Sequence, residues 1–275
     1  MHITDIQILF FIIVLLISGG FAAFTGGLFG VGGGATLVPI LVTIFPYFGA
    51  TPQTDMKLSI TTSLALIAPS AIRATKKQYQ LGNLDLGILK FWSITITIGV
   101  IAGIIISRFF SSHLLKIIFN VYLYVMVISY LFKKTEDTGG HVHKNKILIS
   151  CGGFLTGGLS TLLGIGGGTF AVPFFAYLNF PLKRAIALGS ASGIFIGFFG
   201  AIGGIINGWD TANRLPYSLG YVSLPAFFLI LPTMMYFMPI GSTVSHKLSP
   251  KLLKILYILY FLGLAIYMSF ALFYR

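Results

Sequence analysis

Apolar stretches recur along nearly the whole chain and leave only short polar loops between them. Charged residues make up 9% of the 275 residues and hydrophobic residues 56%, whereas roughly 25% of a typical soluble domain is charged. So few charges cannot cover the surface of a soluble fold of this size. A helix of roughly 20 apolar residues, by contrast, spans a bilayer. The sequence therefore predicts an all-α integral membrane protein surrounded by lipid.

The apolar residues form two groups of five segments. A polar stretch separates the groups, so we expect a first membrane repeat at 1–132, a cytoplasmic linker at 133–146 and a second membrane repeat at 147–275. Segments 33–45 and 167–180 are either short spans or arms of broken, re-entrant hairpins, which gives about 8–10 transmembrane segments. The other segments are 6–28, 57–73, 86–107, 115–132, 147–163, 185–206, 218–238 and 252–273.

The positions of the basic residues predict how the chain crosses the membrane. Each group has one returning pair and three further spans, so the second repeat is inverted relative to the first. Because basic residues lie in the loops, the net charge of +12 reflects topology and not nucleic-acid binding. Met1–Gln7 contains no Lys or Arg, so we expect no cleavable signal peptide. Placing both termini outside satisfies the positive-inside rule. Of the 18 Lys and Arg residues, only five then lie on the outer side: Lys57, Arg108, Lys116, Arg214 and Arg275.

A glycine-rich motif occurs once in each repeat. The sequence GVGGGATLVP at 30–39 returns as GIGGGTFAVP at 164–173, with six of ten positions identical. Small polar clusters follow each copy, as Thr61-Thr62-Ser63 and Ser190-Ala191-Ser192. Repeats of opposite orientation at half-chain spacing are a common transporter architecture.

Glycines permit a sharp bend and close approach of the backbone, and a helix that starts just after them attracts anions through its free N–H groups. Two such helix starts, brought together by pseudo-symmetry, would form a small anion site. The alternative is that the glycines only let helices pack closely. The substrate-binding candidates are Gly32, Gly33, Gly34, Thr36, Thr62, Ser63, Arg73, Gly166, Gly167, Gly168, Thr169, Ser190 and Ser192.

Other side chains offer little chemistry. The acidic residues and histidines fall in loops or at segment ends, which argues against a carboxylate-driven proton pump. His141 and His143 are too few for a metal site, and we expect no metal, no cofactor, no catalytic residues and no enzymatic activity. Arg73 either extends to the interface or attracts anions. Trp92 and Trp209 fit the aromatic belts of the interfaces.

The paired motif G-x-G-G-G-x-x-x-x-P, the chain length and Thr62-Ser63-Leu64 at the start of the third segment resemble the sulfite exporter TauE/SafE family. The resemblance implies a bacterial-type, multi-pass plasma-membrane permease for sulfite or organosulfonates. We therefore expect a secondary transporter of a small anion that works by alternating access. A passive anion channel is the alternative, and both a coupling ion and a homodimer are compatible with the sequence.

Overall fold

The computed structural model describes residues 5–29, 31–132, 145–211 and 215–273. Most of the predicted linker lies outside these residues, as do Gly30 of the first motif, His141, His143, Arg214 and Arg275. The helices in the described part are α1 Asp5–Phe29, α2 Gly34–Ile44, α3 Asp55–Gln80, α4 Leu86–Phe109, α5 Ser112–Phe132, α6 Lys146–Leu163, α7 Gly168–Tyr177, α8 Leu182–Asn207, α9 Leu224–Lys247 and α10 Pro250–Phe273. A 3₁₀ turn, Phe45–Phe48, follows α2, and two short strands, β1 Ser218–Leu219 and β2 Val222–Ser223, precede α9.

Seven helices of the described part are long and apolar enough to cross a bilayer: α1, α4, α5, α6, α8, α9 and α10. Large apolar side chains on their outer faces, such as Ile17, Ile94 and Leu259, are more than half exposed, as lipid-facing residues are. Helix α3 is equally long but carries charges at both ends, while α2 and α7 are short. The predicted all-α integral membrane fold is confirmed.

Two predicted segments have different boundaries in the structure. The segment predicted at 57–73 continues as helix to Gln80, because the polar residues beyond it favour helix and the next left-handed glycine is Gly82. The segment predicted at 218–238 begins as the β1–β2 hairpin. There the helix starts only at Leu224, where the Ala226 N–H donates to the Ser223 hydroxyl and caps α9.

The first helix of each predicted repeat packs parallel to the fourth helix of the other repeat, so that α1 pairs with α9 and α6 pairs with α4. Glycines bring them close, since a Cβ on Gly27 of α1 would overlap the Met238 carbonyl of α9. In the same way, a Cβ on Gly99 of α4 would overlap the Phe154 carbonyl of α6. Small residues allow such close approach of helices in membranes.

The third helices of the two repeats pack against each other in opposite directions. Gly204 of α8 lies against Thr61 near the start of α3, and Gly193 lies against Ala71 further along it. The fifth helices, α5 and α10, are also antiparallel, with contacts Asn120–Ser269 and Tyr130–Tyr257. A two-fold axis between the repeats would produce these helix pairs, in which the first helix pairs with the fourth, the third with the third and the fifth with the fifth. The division into repeats and their inversion stay predictions.

A buried ion pair joins the start of α3 to α5. The Lys116 ammonium lies 2.5 Å from a carboxylate oxygen of Asp55, and these side chains are only 12% and 3% exposed. The sequence placed Asp55 correctly at a helix end but did not predict that it would be buried. The Asp55 N–H bonds to the Thr51 carbonyl and the Met56 N–H donates to the Asp55 carboxylate, so local structure holds this residue at the start of α3.

We expect Asp55→Asn to lower the stability of the protein by about 3–5 kcal/mol, because it leaves the Lys116 ammonium buried without this partner. The double variant Asp55→Leu with Lys116→Met should recover most of the loss, since it removes both charges. Thermal unfolding of the detergent-purified protein measures both effects. An Asp55→Asn melting temperature equal to that of the wild type would show that the pair does not stabilise the fold.

Candidate functional site

The glycine-rich motifs form the tips of two helical hairpins. In the first hairpin, Gly32 and Gly33 have φ angles of 76° and 77°, which glycine adopts without strain. Across this hairpin the ring of Phe48 lies 3.8 Å from that of Phe11, centroid to centroid. The second arm therefore brings the chain back toward the side on which α1 begins. In the second hairpin α7 likewise folds back on α6.

The two tips contact each other inside the helical bundle. Gly32 packs against Gly166, and Gly34 packs so closely on Gly164 that a Cβ would approach its carbonyl oxygen to 2.6 Å. The Thr169 hydroxyl donates to the carbonyl oxygen of Val31, at 3.2 Å. We call this contact region, residues 31–34 and 164–168, the tip junction. The structure thus brings together glycines that are about half a chain apart in sequence.

Two buried serines hold the tip junction halfway along α3 and α8. The Ser63 hydroxyl donates to the Gly164 carbonyl oxygen at 2.8 Å. On the other side, Gly167 lies against Ser192, whose hydroxyl accepts a hydrogen bond of 2.7 Å from the Trp92 indole N–H. Both serines have no exposed surface, so these contacts are shielded from solvent and lipid.

Trp92 is a residue that sequence reasoning placed wrongly. It is fully buried and its ring stacks on that of Phe174 at 5.5 Å between centroids, so it does not belong to an interfacial belt. Its position near the end of an apolar segment carried no sign of this. Contact with Ser192, 100 residues away in the chain, was the informative feature.

Positive electrostatic potential at the tip junction comes from the backbone. Helix α2 begins at Gly34 and α7 begins at Gly168, and the first N–H groups of a helix have no partner within it. Each helix start carries roughly half a positive charge. None of the residues of the tip junction has a charged side chain. The arrangement can therefore bind a small anion through N–H donors.

Close packing does not account for every glycine of the tip junction. A Cβ built on Gly166 would meet no atom closer than 3.9 Å, and Gly166 is absent from the residues with positive φ. Gly32 likewise has no neighbour within 3.8 Å of its Cβ position. An alanine methyl at position 166 would therefore make only ordinary van der Waals contacts with Gly32, Val31 and Ile67, and close packing does not require glycine there.

Four predicted residues use their side chains elsewhere. The Thr36 hydroxyl bonds with those of Thr25 and Tyr260, and the Thr62 hydroxyl accepts from the Ser223 N–H. The exposed Arg73 guanidinium donates to a carbonyl of α9, and Ser190 donates to a carbonyl of its own helix. The tip junction thus gathers Gly32, Gly33, Gly34, Ser63, Gly166, Gly167, Gly168, Thr169 and Ser192 of the predicted set.

A cleft of about 160 Å³ leads toward the tip junction from the ends of α3, α4 and α8. Its inner wall includes Ile60, whose backbone packs on Gly164. No spacing in the sequence links the residues of this cleft, because five helices and the β1–β2 hairpin contribute them. We call it the basic cleft because its polar lining includes two cations; the polar residues are Lys57, Thr61, Ser107, Arg108, Thr161, Asn207 and Tyr221.

No group of three or more His, Cys, Asp or Glu side chains that could hold a metal ion occurs among the residues that the structure describes. Cys151 is exposed on α6 and forms no disulfide.

Comparison with known proteins places this geometry in context. A family model described as sulfite exporter TauE/SafE matches residues 15–268. A probable membrane transporter protein of Haemophilus influenzae is 32% identical over 94% of this chain and 98% of its own length. A probable membrane transporter protein of Methanocaldococcus jannaschii is 32% identical over 92% of this chain and 93% of its own. No solved structure matches the chain.

Gly166 gives a sharp test of the tip junction, because an alanine methyl fits there with its nearest neighbours at 3.9 Å. We expect Gly166→Ala to reduce transport about tenfold, because its methyl group covers the backbone beside Gly32 without straining the fold; a tenfold change corresponds to about 1.4 kcal/mol. Expression and melting temperature should stay as in the wild type. Gly263→Ala, whose Cβ position on α10 has no neighbour within 4 Å, is the matched control. Wild-type transport by Gly166→Ala would remove the tip junction from the substrate path.

Proposed function

The chain belongs to the sulfite exporter TauE/SafE family, and we propose that it is a secondary transporter that carries a small sulfur oxyanion by alternating access. That it is a membrane transporter follows from the family and from its relatives, and membership of such a family agrees with the expected lack of enzymatic activity. The substrate and the mechanism are the proposal. The contact between the two glycine-rich tips is the observation that carries it.

We propose that the anion binds at the tip junction, beside the contact of Gly32 with Gly166. Backbone N–H groups at the starts of α2 and α7 would donate to its oxygens, with Ser63, Thr169 and Ser192 fixing the backbone around it. Two helix starts of roughly half a positive charge each balance one negative charge. This balance supports a singly charged substrate, such as hydrogen sulfite or an organosulfonate. A site without fixed cations also releases its ligand readily, as transport requires.

Alternating access has support in the way that the repeats pack. Helices α3 and α8 cross antiparallel at the tip junction, and the parallel pairs α1–α9 and α4–α6 flank it. If the repeats exchange conformations, a path that opens from one face closes from the other. The basic cleft would be the path on the face where α3 begins and α4 ends.

We further propose that this face is the outer side of a bacterial-type plasma membrane. The returning arm of the first hairpin puts the start of α3 on the side where α1 begins, and α10 ends on that side because it runs antiparallel to α5. Both termini would then be outside. The basic residues support this orientation, because only five of the 18 Lys and Arg residues would lie on the outer side, as the positive-inside rule requires.

Flux in proteoliposomes tests the proposal. Sulfite, sulfoacetate, taurine, sulfate and chloride are offered in turn, with and without a pH gradient, and empty liposomes are the background. We expect saturable uptake of sulfite or an organosulfonate that is accelerated by the same anion inside, since a carrier exchanges its substrate. A response to the pH gradient would identify a coupling ion.

Non-saturable chloride flux without such exchange would indicate a passive anion channel and contradict the proposal. Absence of flux for all five anions would remove the substrate class. Mass measurement of the reconstituted particle, carried out alongside, distinguishes a monomer from the homodimer that the sequence allows.

A further inference from the structure

The basic cleft contains two cationic side chains that have no ion-pair partner in the described part of the chain. Lys57 lies in the first turn of α3 and Arg108 in the last turn of α4, and both line the cleft. No carboxylate lies within 4.0 Å of either one among the described residues, whereas the nearby Lys116 is paired with Asp55. The lining of the cleft includes no acidic residue.

Polar contacts lie around Lys57 and at the end of α4, from which the exposed Arg108 side chain extends. The Lys57 ammonium lies 6.0 Å from the centre of the Tyr221 ring, within the range of a cation–π interaction. The Asn207 amide donates to the Ile104 carbonyl and to the Ser107 hydroxyl. These bonds tie α8 to the end of α4 and keep the walls of the cleft in place.

The cleft is large enough for a hydrated ion. Its volume of about 160 Å³ exceeds by an order of magnitude the roughly 10–15 Å³ that one buried water needs. A cleft with charges of one sign and low-dielectric walls concentrates ions of the opposite sign. Arginine in particular presents donors that match the oxygens of an oxyanion.

We propose that the basic cleft is a separate binding site for a small oxyanion, sulfite or the sulfonate group of an organosulfonate, held by Lys57 and Arg108. The anion occupies this site before it reaches the tip junction, from which the cleft is separated by Ile60 and Gly164. The order of the two sites rests on the proposed function, whereas binding in the cleft does not. A lipid headgroup offers the same oxyanion chemistry, and the experiment separates the two sources.

Equilibrium binding of radiolabelled sulfite tests the site on the full-length protein in nanodiscs made of zwitterionic lipid. We expect the dissociation constant of Lys57→Gln with Arg108→Gln to rise at least about tenfold, because a hydrogen bond to a charged group contributes that much. Lys57→Arg should bind as the wild type does, since it keeps the charge. Equal melting temperatures establish that the variants are folded.

The matched controls are Lys77→Gln and Lys90→Gln. Lys77 and Lys90 are exposed at the opposite ends of the same two helices. The control variants therefore remove the same number of charges from the other face of the protein. We expect them to change sulfite binding by about twofold or less, since isolated surface charges contribute little. A loss of binding as large as in the cleft variant would indicate general electrostatics and overturn the proposal.

A second arm uses nanodiscs with anionic lipid and native mass spectrometry of bound lipid. If zwitterionic nanodiscs show no sulfite binding that depends on Lys57 and Arg108, while retention of anionic lipid does depend on them, the cleft is a lipid site and the proposal is wrong. Gly166→Ala should keep cleft binding while losing flux. If sulfite binds through Lys57 and Arg108 but is not transported, the cleft site stands and only the proposed function fails.

Discussion

In the hydrocarbon core of a bilayer, backbone N–H groups find no water, so a helix can break only where the break is buried in protein or lines a water-filled cavity. Both short helices of this protein start at such breaks, and the two breaks shelter each other. Ser63 and Thr169 satisfy carbonyl groups of the opposite tip, while α3 and α8 shield the contact on both sides. The rest of the bundle is arranged around this requirement, because the tips meet only if the third helices cross antiparallel.

Glycine serves two distinct purposes in this arrangement. At Gly27 and Gly99 it lets parallel helices approach until backbone touches backbone, which is the main attraction between helices when lipid is as apolar as the side chains. At Gly166 close packing does not require glycine, since a Cβ there would meet its nearest neighbours at 3.9 Å. The two uses are indistinguishable in the sequence, since both present as glycines in apolar segments, but they have opposite consequences for function.

Charged side chains, like the glycines, serve two distinct purposes. Near the start of α3, one cation is neutralised by Asp55 in a buried pair that fixes α5, and two others face the basic cleft. A paired charge contributes to structure, whereas a charge that lacks a partner attracts ions from solution. At the tip junction no side chain is charged, so attraction there depends on helix starts alone. The field experienced by an anion would therefore weaken from the cleft to the tip junction.

The sequence by itself determined the membrane class, the ten helices of the described residues to within a few residues at most boundaries, the position of the two glycine-rich motifs and the family. These are local properties: the length of an apolar segment is set by bilayer thickness, and a repeated motif is visible without any structure. Tertiary structure alone decided that Trp92 is buried against Ser192, that Asp55 and Lys116 are paired, that Arg73 contacts α9 and that an alanine methyl would fit at Gly166. Each of these depends on which helices pack together and in which rotation. Hydropathy does not encode that choice, because a lipid-facing side and a helix-facing side of a membrane helix are equally apolar.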